Sequence, residues 1–184
     1  MTAKSEQVGL IIKALDFAAH KHRDQRRKGK EAAPYINHPI ALTNLLWNVA
    51  SVQDPVVVTA ALLHDTVEDT DTTFQELAEA FGQEVENLVR EVTDDKSLPK
   101  QKRKQMQVEH AAHLSQKAKL IKLADKISNL RDMIAHPPAD WSKERKMEYF
   151  HWGKQVIDRL RGTHIELEKI FDEVYQQGIK ELAD

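Results

Sequence analysis

Apolar residues recur along this chain at intervals of three and four, the spacing that presents one side of a helix to a core. From Ser5, read as a cap, Val8, Ile11, Ile12, Leu15, Ala18 and Ala19 follow that spacing, and the helix is expected to run into the basic stretch His20 to Lys28. Gly29 to Pro34, which includes Lys30, reads as a loop. A second helix is expected with Asn37 as its cap, Pro39 in its first turn, and Leu42, Leu45, Leu46 and Val49 on one face. Asp54-Pro55 then opens Val56 to Leu63, a segment apolar on every side and therefore buried. Thr73-Phe74-Gln75-Glu76 has the form of a capping box, Gly82 stops that helix, and Val85, Leu88, Val89 and Val92 mark the next. A longer helix capped by Ser115 carries Ala118 to Met133 and ends near Pro137-Pro138; another is expected from Trp141 to Leu160. Gly162 breaks it, and Thr163-His164-Ile165-Glu166 opens a last helix through Ile170, Phe171 and Val174. No hairpin signal, repeat or linker interrupts this order. The pattern predicts an all-α bundle of eight to ten helices forming one domain over residues 1–184.

Composition changes this picture in three ways. At 184 residues the chain is long enough to bury a core without staples. A net charge of -2 gives no bulk field for nucleic acid, although lysines and arginines cluster at His20 to Lys28 and again at Lys100 to Lys104. The lack of cysteine excludes disulfides and thiolate ligands, and it fits a reducing compartment. With no apolar run of membrane-span length and a polar N-terminus from Met1 to Gln7, the expected setting is the cytoplasm, away from membrane. Self-association into a homo-oligomer stays open.

The chemistry concentrates where the buried segment ends, at His64-Asp65-Thr66-Val67-Glu68-Asp69. If the helix continued, His64 would stack on Glu68 and Asp65 on Asp69, giving one layer able to hold a metal ion and a second able to hold a water. His38 stands at the start of another core-facing helix. Lys122, Asp125, Asn129 and Asp132 form a polar stripe on a third. Together His38, His64, Asp65 and Asp125 offer two imidazoles and two carboxylates, a mixed nitrogen and oxygen set that suits Mn²⁺ or a similar octahedral ion better than a closed structural zinc site. Glu68 and Asp69 could then orient a metal-acidified water or take its proton.

A His, a His-Asp pair and a distant Asp resemble the motif of the HD-domain metal phosphohydrolases. The likeness sharpens in His20-x-His22-Arg23 with Gln25 to Lys28, Tyr35-Ile36-Asn37-His38-Pro39, Ala60 to Thr70, Glu91 to Lys96, and Lys122 to Lys126 with Asn129-Leu130-Arg131. These stretches, spread over about residues 20–152, resemble the single-domain small alarmone hydrolases, metazoan-type relatives of the hydrolase half of the RelA/SpoT enzymes. The resemblance implies Mn²⁺-dependent removal of the 3′-pyrophosphate from guanosine tetra- or pentaphosphate, giving GDP or GTP and pyrophosphate. It implies His38, His64, Asp65 and Asp125 as metal ligands, and Glu68 and Asp69 as the pair that activates water. It also implies Arg27 and Lys28 as base-stacking and phosphate contacts, Asn129 as a ribose contact, and Tyr35, Lys100, Arg145 and Tyr149 as lining of the nucleotide cleft. The spacer Gly29 to Pro34 is longer than in the RelA/SpoT enzymes, so Arg26 is an alternative to Arg27. Two other readings stand beside this one: an HD phosphohydrolase acting on another nucleotide, such as the 2′-phosphate of NADPH, and a non-catalytic alarmone sensor. A sensor would be expected to lack a ligand or Glu68, and none is missing.

Overall fold

The computed structural model describes residues 3–29 and 31–183; Met1 and Thr2 of the polar N-terminus, Lys30 of the expected loop, and Asp184 lie outside them. Among the described residues the regular structure is helical, with one isolated antiparallel bridge between Arg26 and Pro34. The helices in order are α1 (Ala3–Lys21), α2 (Asn37–Asn44), α3 (Pro55–Leu63), α4 (Thr66–Asp69), α5 (Phe74–Phe81), α6 (Gln83–Val92), α7 (Lys100–Ala111), α8 (Gln116–Ala135), α9 (Lys143–Asp158) and α10 (Ile165–Ala183). A π-helical turn, Leu45–Val49, continues α2. No helix among the described residues is long and apolar enough to cross a membrane.

Helix α3 is the central rod. Asp54 caps it, accepting from the Val56 and Val57 amides at 2.9 and 3.4 Å, and Pro55 occupies the first turn, where no donor is needed. Every residue from Val57 to Leu63 is buried, and α1, α2, α6 and α8 surround the rod. Burial on all sides explains why this segment carries no polar face. Caps at Thr73, accepting from Glu76 N at 3.1 Å, and at Ser115, accepting from Ala118 N at 3.2 Å, start α5 and α8 where the sequence pattern puts them. Gly82 ends α5 at φ +88°, a left-handed conformation that glycine adopts without strain.

Several expectations need correction. Ser5 lies within α1, which begins at Ala3, and α1 stops at Lys21, so His22 to Asp24 form a turn. The core face of α1 is set by Ala14 and Ala18, while Val8 and Ile12 are exposed; small residues allow α1 close to α3, and that approach fixes its rotation. Asn37 is the first helical residue of α2 and makes no cap. The π turn widens the helix after Asn44, so Leu45 and Leu46 stay buried and Val49 rotates outward. Helix α9 begins at Lys143 with Ser142 as cap, leaving Trp141 outside it. At α10 the cap falls one residue later than expected: His164 Nδ1 accepts from Leu167 N, and Glu168, not Glu166, accepts from the Thr163 and His164 amides.

The junction at His64 and Asp65 matters most for the site. The buried helix ends at this pair, and the continuation that would stack His64 on Glu68 does not occur: α3 ends at Leu63, Asp65 adopts φ -100° and ψ -3°, and α4 restarts at Thr66. The Thr66 hydroxyl donates to Leu63 O at 2.7 Å, an alternative to the helical ladder that stabilises the break.

Candidate active site

The break turns His64 and Asp65 toward His38 from α2 and Asp125 from α8. His64 Nε2 lies 2.9 Å from Asp65 Oδ2 and 3.8 Å from Asp125 Oδ1; His38 Nε2 lies 3.2 Å from Asp125 Oδ1 and 3.8 Å from Asp65 Oδ2. Each imidazole is oriented through its other nitrogen. His64 Nδ1 is 2.8 Å from the Ala61 carbonyl, which can only accept, so Nδ1 carries the hydrogen and Nε2 is left for a ligand. His38 Nδ1 is held 3.2 Å from Ser128 Oγ. Although close to Asp65, the buried His64 Nε2 makes no hydrogen bond of acceptable geometry. The ligand atoms of His38, His64 and Asp65 lie within 4.8 Å of one another, aimed at common space. Two imidazole nitrogens and two carboxylates so arranged fit a divalent cation.

Electrostatics support that fit. Burial pushes His64 down, but Asp65 and Asp125 outweigh it and raise the imidazole to about 9, so that without a metal Nε2 also holds a proton, which a bound cation would displace. Burial lowers His38, and the Asp125 carboxylate only partly offsets it. Burial would raise both acids, yet the imidazoles hold Asp65 down, and Lys126 with His38 holds Asp125 well below the usual carboxylate range. The site is therefore a concentration of buried charge that a cation would complete.

Glu68 and Asp69 lie one turn further on, in α4. Glu68 accepts from Asp94 N at 3.2 Å; burial, then the charges of Asp94 and Asp65, raise its carboxyl to about 7. Asp69 accepts from Gln25 Nε2 at 3.0 Å and from Lys96 Nζ. The α6–α7 connection thus holds both acids, and Gln25 holds Asp69 as well, so they are not a free pair.

A cleft of about 520 Å³ opens at His38, lined by Arg27, Lys28, Tyr35, His38, Asp69, Asn129 and Tyr149 among others. Gly29 lets its loop lie against α8, where a Cβ would sit 2.8 Å from His136 O. The C-terminal half of the polar stripe of α8, Asn129 and Asp132, lines the cleft: Asn129 donates to Asp125 Oδ1 at 2.6 Å and accepts from Arg27, which also reaches Asp132 Oδ2 at 2.5 Å. The Arg27 guanidinium lies 5.4 Å from the Tyr35 ring centre. Arg26 instead spends its donors on the Arg23 and Gln25 carbonyls, so Arg27 is the arginine turned toward α8. Lys100 and Arg145 are not in the cleft wall; they flank it over the Trp141 ring, at 5.7 and 4.2 Å. Partial burial and the facing charges of Arg145, Lys28 and Arg103 lower the Lys100 amine, the mark of a crowded cationic rim. Sequence reading assigned no role to Gln25, Lys96, Asp132 or Trp141. Asp132 was visible only as a member of the stripe, Gln25 and Lys96 only as members of the resembling motifs, and Trp141 only as an expected helix start.

The chain matches the HD domain model over residues 14–150. It is 53% identical over 176 residues to the guanosine-3′,5′-bis(diphosphate) 3′-pyrophosphohydrolase MESH1 of Xenopus tropicalis, covering 95% of this chain and 98% of that one. To the protein of the same name from Homo sapiens it is 54% identical over 167 residues, covering 91% and 93%. A solved structure described as a metazoan ortholog of SpoT that hydrolyses ppGpp and plays a role in starvation responses superposes with a TM-score of 0.89 at 49% identity, covering 96% of each chain.

Proposed function

This chain belongs to the HD domain family, and from that premise we propose that it is a guanosine-3′,5′-bis(diphosphate) 3′-pyrophosphohydrolase. Water adds to the phosphorus on the 3′ oxygen, the bond from phosphorus to that oxygen breaks, and GDP or GTP leaves with pyrophosphate. The observation that carries the reading is the convergence of His38, His64, Asp65 and Asp125 at one side of a nucleotide-sized cleft, with Glu68 and Asp69 a turn away. His38, His64, Asp65 and Asp125 would hold a divalent ion, which would supply Lewis-acid polarisation and acidify water; a mixed nitrogen and oxygen set with open positions suits Mn²⁺ or another octahedral ion.

The protein's own groups divide the remaining work. Glu68, with a carboxyl near 7, is matched to accepting a proton at neutral pH. Asp69, engaged by Gln25 and Lys96, is a fixed acceptor suited to orienting water. Tyr35 donates to Asp65 Oδ2 at 2.5 Å, and burial with the Asp65 charge keeps its phenol protonated for that bond. Arg27, braced by Asn129 and Asp132, presents a flat guanidinium for the base. Lys28 and the rim cations Lys100 and Arg145 meet phosphate charge, Tyr149 closes the wall, and Asn129 is placed for the ribose. The ligand in this reading is a small nucleotide rather than nucleic acid, handled by one domain spanning residues 1–184, in the cytoplasm as the cysteine-free composition suggests.

Incubating the purified chain with guanosine tetraphosphate, with and without Mn²⁺ and chelator, tests the proposal by chromatography of the products. Manganese-dependent GDP and pyrophosphate are expected. A folded, metal-loaded protein that leaves the tetraphosphate intact would overturn it and direct the search to other phosphorylated nucleotides.

A further inference from the structure

We propose that His22 and Gln25 act as a positioning unit which braces Asp69 and Asp65 together, so that Gln25 influences turnover only through Asp69. The idea rests on the hydrolase reading above.

His22 lies in the turn that ends α1 and is 2% exposed. Its Nδ1 is 2.6 Å from Gln25 Oε1. An amide oxygen can only accept, so Nδ1 carries the hydrogen. This fixes the amide, turning Gln25 Nε2 to Asp69 Oδ2 at 3.0 Å; the reversed amide would set an oxygen against the carboxylate. Lys96 holds the other Asp69 oxygen from the α6–α7 connection. On its face, the His22 ring packs against Tyr35 with centroids 4.8 Å apart, and Tyr35 holds Asp65. The backbone repeats the connection, since Gln25 N donates to His22 O and Tyr35 N to Gln25 O.

One buried imidazole therefore reaches both acids, by an amide to Asp69 and by a phenol to Asp65. Its Nε2 is buried without a partner, a polar atom that packing alone gives no reason to keep. Outer partners of this kind are commonly worth ~10–100-fold in affinity or activity.

The test is a double-mutant cycle on the full chain with guanosine tetraphosphate as substrate: Gln25→Ala, Asp69→Ala and both together. Gln25→Ala is expected to lower kcat by ~10–100-fold while KM and bound metal stay unchanged, and the double variant is expected to be no slower than Asp69→Ala. Multiplying losses, or a raised KM at full kcat, would overturn the proposal by making Gln25 an independent or substrate-binding group. Nitrogen NMR of the His22 ring supplies a readout free of turnover. Nδ1 protonated in the parent, with that preference lost in Gln25→Ala, supports the unit. A ring protonated at Nε2, or indifferent to Gln25→Ala, overturns it. If the parent releases no pyrophosphate, the hydrolase reading fails, and the ring signals still decide the network.

Discussion

The two ends of this helical bundle are stabilised by different means. Where α2, the α3–α4 junction and the polar stripe of α8 meet, helices are short or interrupted, and buried polar side chains are held by ion pairs and side-chain hydrogen bonds, with His64 Nε2 and His22 Nε2 left without a hydrogen bond. Where α10 lies along α8 and α9, the helices run for 16 to 20 residues without a break, and the interior is apolar: Leu167, Phe171 and Phe150 are buried and Tyr175 stacks on Phe171 at 6.1 Å. Helix α8 belongs to both ends. The difference teaches that the regular end supplies rigidity, while the irregular end uses its breaks to turn charged groups toward one point.

Three substitutions would break or sharpen that contrast. The largest effect is expected from Asp65→Ala, which removes a carboxylate facing both imidazoles. Metal content measured on the purified protein should fall to background and turnover should vanish, while helical circular dichroism persists. Retained metal would remove Asp65 from the ligand set. Next comes Gly178→Ala at the regular end, where a Cβ would sit 2.0 Å from Phe150 Cε1. Overpacking of this kind costs about 1–3 kcal/mol, so the thermal midpoint should drop with the metal stoichiometry unchanged; lost metal would show the two ends to be coupled. The smallest effect is a shift in pH dependence from Asp94→Asn. Asp94 is one of the charges that raise Glu68, after burial itself, so removing it lowers the Glu68 carboxyl. On the proposed role, in which Glu68 acts as the carboxylate, the acid limb of kcat should move to lower pH; a limb that stays or moves upward would separate Glu68 from proton transfer.

Much of the regular end was legible in the sequence, because α8 and α10 obey a simple period and Ser115 is a strong cap, as Asp54 and Thr73 are for α3 and α5 elsewhere; all three side chains bond the expected amides. The junction at His64 was not. Its i, i+4 pairs suit an unbroken helix equally well, and the break depends on Thr66 choosing the Leu63 carbonyl over solvent. Val8 and Ile12 misled for a related reason: apolar spacing defines a broad face, whereas Ala14 and Ala18 decide which part of it touches α3. His38, His64, Asp65 and Asp125 are brought together from three distant stretches, which spacing alone could suggest only through their residue types. Gln25 and Lys96 fall within the resembling motifs, but their hold on Asp69 becomes visible only when the chain is folded.

The most direct measurement pairs metal content with single-turnover rate in Glu68→Ala. Glu68 stands in α4, beyond the break that turns His64 and Asp65 to the ligand cluster, so the variant should bind metal at the parent stoichiometry while losing ~10²–10⁴-fold in rate, the usual contribution of a positioned acid or base. Full activity, or loss of the metal together with the rate, would contradict the separation of metal holding from proton transfer.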